Sequence, residues 1–162
     1  MPFASLRDFM ARLDRDGQLV KVSAPVSPHL EMTEIHTRVL AESGPAILFE
    51  NVVKEDGSPY GMPVLANVFG SVERVAWGMD RTPDQLREVG ETLAFLKQPE
   101  PPGGWREAIN MLPLLKTVMA MKPRTVSKAP CQEVVLTGDD IDLSALPIQT
   151  CWPGEPAPLI TW

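Results

Sequence analysis

Two histidines, His29 and His36, are the side chains in this sequence most suited to binding a metal ion or moving a proton near neutral pH. They stand seven positions apart, so on one helix they would lie two turns and about 10 Å from each other. That is too far for one metal ion, and the residues between them do not form the H-E-x-x-H pattern of a zinc site. We expect His29 near a helix start and His36 on the helix flank, without a metal-binding or catalytic role.

Other possible ligands are a run of carboxylates and two thiols. Asp139, Asp140 and Asp142 could bind a cation, but the EF-hand spacing and its closing Glu are missing, which favours a solvated turn. Cys131 and Cys151 lack the C-x-x-C spacing of redox or zinc sites and are too few for a secreted disulfide framework. We expect reduced, inert thiols, while a disulfide stays open if the two lie on neighbouring strands.

Sequence motifs for nucleotide binding and nucleophilic catalysis are missing. There is no G-x-G-x-x-G, no P-loop and no G-x-S-x-G. Arg87, Glu88 and Glu91 could form an acid–base set, but their spacing is explained as well by the exposed face of a helix. The residue types therefore indicate no complete active site.

Bulk composition describes a globular protein and excludes several classes of partner. The chain has 162 residues, of which 44% are hydrophobic and 22% charged, and its net charge is −6. Lys and Arg do not cluster, so nucleic acid is not an expected partner. The N-terminus does not read as a signal peptide, and no stretch reaches the roughly 20 apolar residues of a membrane span. We expect a cytoplasmic protein.

The first half of the chain predicts an α/β fold. A helix with its apolar residues from Phe3 to Leu13 is followed by a strand over 19–23. A second helix, with Leu30, Ile35, Val39 and Leu40 inside, precedes the apolar strand 46–49. Strand, helix and strand in this order predict a crossover onto one sheet, to which 63–67 adds a third strand.

The second half predicts further helices and then a change of character. One helix starts at Gly70 and Ser71, and another is capped by 82–85 and ended by the Pro- and Gly-rich stretch 99–104. A Met-rich helix from Trp105, kinked or ended near Pro113, presents an apolar stripe suited to a neighbouring domain or subunit. Beyond it, 131–137 reads as a strand and 138–140 as a turn, and 159–162 is strand-like up to the last residue, which suggests a truncated chain.

Several stretches resemble the N-terminal part of the UbiD family, the 3-polyprenyl-4-hydroxybenzoate carboxy-lyases of ubiquinone biosynthesis. They occur in the family's order and cover almost the whole chain. The stretches are 6–9 (LRDF), 45–51 (PAILFEN), 62–70 (MPVLANVFG), 86–90 (LREVG), 96–102 (LKQPEPP), 138–143 (GDDIDL), 146–148 (LPI), 150–153 (TCWP) and 158–162 (PLITW).

The resemblance implies a division of the chain into three parts. Residues 1–98 would form an α/β (α+β) domain, a small mixed sheet flanked by helices. Residues 99–129 would be a Pro/Gly linker and a connecting helix. Residues 130–162 would begin a truncated, β-rich flavin-binding domain of split-barrel type.

The resemblance also implies a reaction and its cofactors. In the UbiD family a prenylated FMN forms an adduct with an aromatic carboxylic acid and acts as the electron sink of a reversible, non-oxidative decarboxylation. A divalent metal, usually manganese, holds the cofactor phosphate. By resemblance the catalytic, cofactor-binding and metal-binding residues lie beyond Trp162, so none is assigned to a numbered position, and neither group is expected on this chain alone.

Two hypotheses therefore remain. The leading one is the N-terminal part of a decarboxylase, with a prenylated hydroxybenzoate as the favoured substrate, a homo-oligomeric state, and peripheral contact with the inner face of the membrane through the lipophilic substrate. The alternative is a non-catalytic binding or assembly module derived from this family. Continuation of the gene past Trp162 and flavin binding by the isolated chain would separate the two.

Overall fold

The computed structural model of the chain describes residues 3–98, 103–110, 112–120, 122–123 and 125–160. The chain divides into two units, one made of 1–86 together with 142–162 and the other of 87–141. The strands and the buried side chains of the described residues all belong to the first unit.

The first unit is built on the predicted crossover. The strands β1 (Leu19–Val22), β2 (Ala46–Phe49) and β3 (Val64–Ala66) form one sheet in the order β1-β2-β3. β1 and β2 are parallel, with Leu19 beside Ala46, whereas β2 and β3 are antiparallel. This small mixed sheet with flanking helices confirms the fold class expected for the first part of the chain.

Two helices cover the sheet from opposite faces. α1 (Leu6–Arg15) and α2 (Glu31–Ala41) precede and follow β1. Successive side chains of a strand point to opposite faces, and β2 divides its residues accordingly: Ala46 joins the core of α1, and Ile47 joins the core of α2. The α1 core contains Phe9, Leu13 and Ala46, and the α2 core contains Val26, Met32, Ile47, Phe49 and Val52.

The ends of α1 follow the local signals in the sequence. Ser5 Oγ accepts a hydrogen bond from Asp8 N at 3.3 Å, as expected of an N-cap. The Asp8 carboxylate accepts from Ala4 N rather than from Ser5 N, so the capping box is displaced by one residue. Gly17 follows the helix end with φ of 68°, a conformation that glycine adopts without steric cost.

The predicted inner face of α2 was wrong at Leu40, which is 48% exposed. The face that meets the sheet carries Met32, Ile35 and Val39, which recur at helical spacing. Leu40 is one position past Val39 and is therefore rotated by about 100° away from this face.

Arg74 joins the loops at one end of the sheet. It lies on α3 (Val72–Gly78) and is 1% exposed. Its Nε donates to Val68 O at 3.1 Å, its Nη1 to Gln18 Oε1 at 3.0 Å, and its Nη2 to Gly44 O at 3.0 Å and Asn67 O at 3.2 Å. Burial lowers the pKa of Arg74, and the four acceptors are all uncharged. One guanidinium thus connects three loops, at Gln18, at Gly44 and at 67–68.

The second unit consists of helices and short turns. α4 (Leu86–Lys97) follows a 3-10 turn at Pro83–Gln85, where Thr82 N donates to Gln85 Oε1 at 3.0 Å as the capping pattern predicts. α4 ends before the predicted break at 99–104, of which 99–102 lie outside the described residues. The helix predicted to be kinked or ended near Pro113 corresponds to α5 (Trp105–Asn110) and α6 (Leu112–Ala120), with residue 111 outside the described residues. Pro113 occupies the first turn of α6, where proline is tolerated.

Two strand predictions near the end of the chain were wrong. Over 131–137 the structure has a 3-10 turn at Pro130–Gln132 followed by irregular chain, and Val134 and Val135 are 75% and 71% exposed. Leu159 and Ile160 are also in no strand, and residues 161 and 162 lie outside the described residues. Apolar, β-branched sequence makes a strand only where a neighbouring strand takes its N–H and C=O groups, and no described strand does so here.

Candidate functional site

A groove of about 540 Å³ lies within the first unit, where the returning segment 144–158 passes the loops that follow β1 and β2. A second cavity of about 340 Å³ shares Tyr60, Ser144, Ile148 and Pro158 with it and extends its apolar end. The groove is lined by Ser27, Pro28, His29, Lys54, Glu55, Asp56, Tyr60, Ser144, Ile148, Thr150, Glu155, Pro156, Ala157 and Pro158.

Backbone hydrogen bonds at Thr150 fasten the returning segment to the start of α2. Thr150 N donates to Pro28 O at 3.1 Å, and Leu30 N donates to Thr150 O at 3.0 Å. These bonds form a parallel bridge between His29 and Thr150. Thr150 is 6% exposed, while Leu30 takes the unusual φ of 63°. The contact has the hydrogen-bond pattern of a parallel sheet but is limited to one residue pair.

Glu155 holds the turn that follows this bridge. Its Oε2 accepts from Cys151 N at 2.7 Å and from Trp152 N at 3.2 Å. A carboxylate that accepts backbone N–H groups makes stronger hydrogen bonds than a neutral acceptor. The turn is therefore fixed at its beginning by Thr150 and closed by Glu155.

The opposite wall of the groove is the loop between β2 and β3. Lys54 Nζ lies 5.4 Å from the centre of the Tyr60 ring, a cation–π arrangement. Asp56 accepts from Ser58 N at 2.9 Å and from Ser58 Oγ at 2.6 Å, and these bonds lower the pKa of Asp56. The carboxylate is therefore used to shape the loop.

The structure does not bring the sequence candidates together into a catalytic site. His29 lies at the rim of the groove. His36 lies on α2, where burial lowers its pKa, and its Nδ1 is buried without a hydrogen-bond partner in the part of the chain that the structure describes. Serine hydroxyls donate to carboxylates at Ser58 and Ser144, but within that same part no histidine ring completes a nucleophile–base pair with them.

The acidic candidates have structural explanations. Asp142 accepts from Ser144 N and Oγ at 2.9 and 2.6 Å, which lowers the pKa of Asp142, and it caps the 3-10 turn Leu143–Ala145. Asp139 and Asp140 belong to an exposed 3-10 turn, Gly138–Asp140. On α4, Arg87 pairs with Glu91 at 3.1 Å on an exposed surface, and Glu88 is exposed as well.

The cysteines fall in different units. Cys131 is exposed, in the unit 87–141, and Cys151 is half-buried, in the returning segment. Both are free thiols.

The residues that the structure describes form no metal site, and their buried cation is not available to a flavin phosphate. Among them, no group of three or more His, Cys, Asp or Glu side chains could hold a metal ion. Arg74, the buried cation, has its guanidinium committed to protein acceptors, so it is not a free phosphate ligand. No catalytic step is therefore assigned to these residues.

Two family models match the chain in sequence order. Residues 10–93 match the N-terminal domain of 3-octaprenyl-4-hydroxybenzoate carboxy-lyase, a range that covers just over half of the 162 residues. The chain belongs to the UbiD family. Residues 124–162 match the Rift-related domain of the same carboxy-lyase, so the bridge at Thr150 and the turn closed by Glu155 fall within this second match.

A solved structure of a UbiD-class enzyme has the same fold over nearly all of the chain. It is an evolved dimeric form of HmfF from Pelotomaculum thermopropionicum in complex with prFMN, with a TM-score of 0.64 and 25% identity. The match covers 96% of this chain and 30% of that enzyme, so the chain spans less than a third of its UbiD relative. The structure of HmfF from the same organism in complex with FMN matches 61% of this chain and 21% of that one, at 27% identity and a TM-score of 0.46.

The sequence signals for this groove were weak. The groove brings together two segments about 90 residues apart, which contribute Lys54 and Tyr60 on one side and Thr150 and Glu155 on the other. No motif in the sequence indicated that these segments would meet. The signal that could have found Glu155 is its spacing from Cys151 in a turn rich in proline and glycine.

Proposed function

We propose that this chain is the N-terminal part of a prenylated-FMN-dependent, non-oxidative decarboxylase that acts on 3-polyprenyl-4-hydroxybenzoate in ubiquinone biosynthesis. The observation that carries the proposal is the order of the two carboxy-lyase matches along one chain, together with the shared fold of a UbiD-class enzyme in complex with prFMN. Residues outside this chain would supply the flavin site, the manganese site and the proton-transfer groups.

The role of the chain in such an enzyme would be structural. The described residues offer neither a metal site nor a nucleophile–base pair, but they form an ordered α/β unit with its own core. In the proposed enzyme this unit would pack against the flavin-binding domain and help to cover the active-site cleft.

Exposed apolar side chains support a covering partner for the unit 87–141. Among the residues of this unit whose burial the structure describes, none is fully buried, whereas Trp105 and Met119 are 71% and 76% exposed. A segment without a core gains little stability from its own contacts, and large exposed apolar patches mark interaction surfaces. We propose that the rest of the decarboxylase, or a second subunit of a homo-oligomer, covers them.

The proposed location is the cytoplasm, with peripheral contact to the membrane through the lipophilic substrate. Within the described residues, no helix is long and apolar enough to cross a bilayer.

The test is expression of the complete natural reading frame together with a flavin prenyltransferase, with the 162-residue chain as a parallel sample. Intact mass, visible absorbance and carbon dioxide release from a 3-prenyl-4-hydroxybenzoate are then measured. We expect the complete product to extend past Trp162, to copurify with flavin and to release carbon dioxide. The 162-residue chain should neither copurify with flavin nor release carbon dioxide.

Two outcomes would count against parts of the proposal. A reading frame that stops at Trp162, with no flavin bound, would favour the assembly-module hypothesis over the enzyme. Faster turnover of cinnamic acid than of the prenylated hydroxybenzoate would leave the reaction class intact and reject the proposed substrate.

A further inference from the structure

The returning segment is buried only where it meets the start of α2. Within it, residues 144 and 145 are exposed, residues 146–149 are half-buried, Thr150 is buried, and the chain is exposed again from Trp152 to Gly154. The minimum of exposure coincides with the parallel bridge between His29 and Thr150. The contact is therefore local and is centred on one residue.

The segment that makes this contact belongs, by sequence, to the other domain of the family. Residues 124–162 match the Rift-related domain, yet 142–162 fold within the same unit as residues 1–86. The bonds at Thr150 and Glu155 thus lie where the Rift-related sequence is fastened to the α/β unit.

The bonds restrict the path of the chain at this point. Two backbone hydrogen bonds fix the position of Thr150 against Pro28 and Leu30, and the Glu155 carboxylate fixes the direction of the following turn through Cys151 N and Trp152 N. A shift of the segment along the start of α2 would break the two bonds at Thr150, whereas the bonds to Glu155 lie within the segment and hold the shape of its turn.

We propose that Thr150 and Glu155 form a clasp that sets the position and direction in which the chain leaves the α/β unit and continues into the rest of the flavin-binding domain. They are positioning residues, since neither is assigned a contact with substrate or cofactor. The part of the inference that concerns flavin rests on the proposed function, whereas the clasp itself is a property of the 162-residue chain.

The first test is hydrogen exchange on the 162-residue chain, with amides followed individually by NMR. We expect slow exchange at Leu30, Thr150, Cys151 and Trp152. Glu155→Ala removes the acceptor of two amides and should speed exchange at Cys151 and Trp152 by about tenfold. Glu155→Gln keeps a neutral acceptor and should give an intermediate rate.

A matched control is available in the same segment. Asp142 also accepts from a backbone amide, that of Ser144, but it lies outside the bridge. Asp142→Ala should speed exchange at Ser144 and leave Leu30 and Thr150 unchanged.

The bridge is tested by Thr150→Pro, which removes the N–H that donates to Pro28 O. Ala157→Pro serves as its control, because the structure gives Ala157 N no partner among the described residues.

The second test asks whether the clasp affects the flavin site, and it uses the protein made from the complete reading frame with flavin bound. We expect Glu155→Ala to lower flavin occupancy and to shift the visible spectrum of the bound flavin, with partial rescue by Glu155→Gln and no change in Asp142→Ala. A merely structural contact would lower the yield of protein without altering the spectrum of the flavin that remains bound.

The outcomes separate the clasp from the proposed function. Fast exchange of Thr150 and Leu30 in the unmodified chain, or an unchanged spectrum and occupancy in Glu155→Ala, would overturn the inference. If the unmodified complete product binds no flavin, the proposed function fails, and unchanged exchange at Cys151 and Trp152 in Glu155→Ala would then reject the clasp on its own.

Discussion

Arg74 gives the sharpest test of how the α/β unit is held together. Replacing it with methionine keeps most of the apolar stem and removes all of the guanidinium donors. Val68 O and Gln18 Oε1 then lose the partners they have, whereas Gly44 O keeps Asn67 Nδ2 at 3.2 Å and Asn67 O keeps Gly70 N at 3.3 Å. The substitution therefore leaves two acceptors unpaired rather than four.

The expected loss follows from these two acceptors. Each buried acceptor without a partner costs about 1–3 kcal/mol, and water reaches Gln18 because it is only half-buried. Removal of a buried charge returns part of this cost. We expect Arg74→Met to lower the free energy of unfolding by about 2 kcal/mol. Arg74→Lys should cost at least as much, because an ammonium keeps the buried charge but cannot span acceptors arranged for a planar fork.

Urea unfolding followed by circular dichroism and tryptophan fluorescence measures the change. Arg38→Met is the control, since the side chain of Arg38 is 77% exposed in its pair with Glu34 and its loss should cost less than about 0.5 kcal/mol. Recovery of stability in Arg74→Lys would refute the reasoning, because it would show that charge matters and fork geometry does not. Arg74→Met with the stability of the unmodified chain would refute it as well.

Two further predictions concern a glycine contact and a half-buried histidine. A Cβ at Gly70 would lie 1.8 Å from Asn67 Oδ1, whereas a Cβ at Gly90 would meet nothing within 4 Å. In urea unfolding, Gly70→Ala should therefore lower the free energy of unfolding by about 1–3 kcal/mol. Gly90→Ala should raise the helix content of α4 in circular dichroism, and equal effects of the two substitutions would contradict this reasoning. Burial lowers the pKa of His36 from 6.5, so the unfolded chain binds more protons just below that pH, and stability should fall as the pH drops from 6.5 through the lowered value. His36→Gln should remove this part of the pH dependence of urea unfolding, and an identical pH slope in both proteins would reject the assignment to His36.

Local patterns were sufficient to predict the elements of the first half of the chain. The two strands and the helix of the crossover and the N-cap at Ser5 each depend on residues within a few positions of each other, and the structure contains all of them. The helix after Thr82, in the second half, follows the same kind of local signal. The family resemblance was likewise carried by short stretches in order, and both family matches confirm it.

Long-range contacts decided the rest. The segment 131–137 has the composition of a strand but no described strand to pair with. The side chain of Arg74 is buried only because three separate loops turn carbonyl or amide oxygens towards it. The bond between Thr150 and Leu30 joins residues 120 positions apart. The sequence determined which residues can form hydrogen bonds or apolar contacts, but their partners depend on the tertiary structure. The reason is that backbone N–H groups are chemically alike, so the local sequence does not indicate which distant carbonyl accepts from each of them.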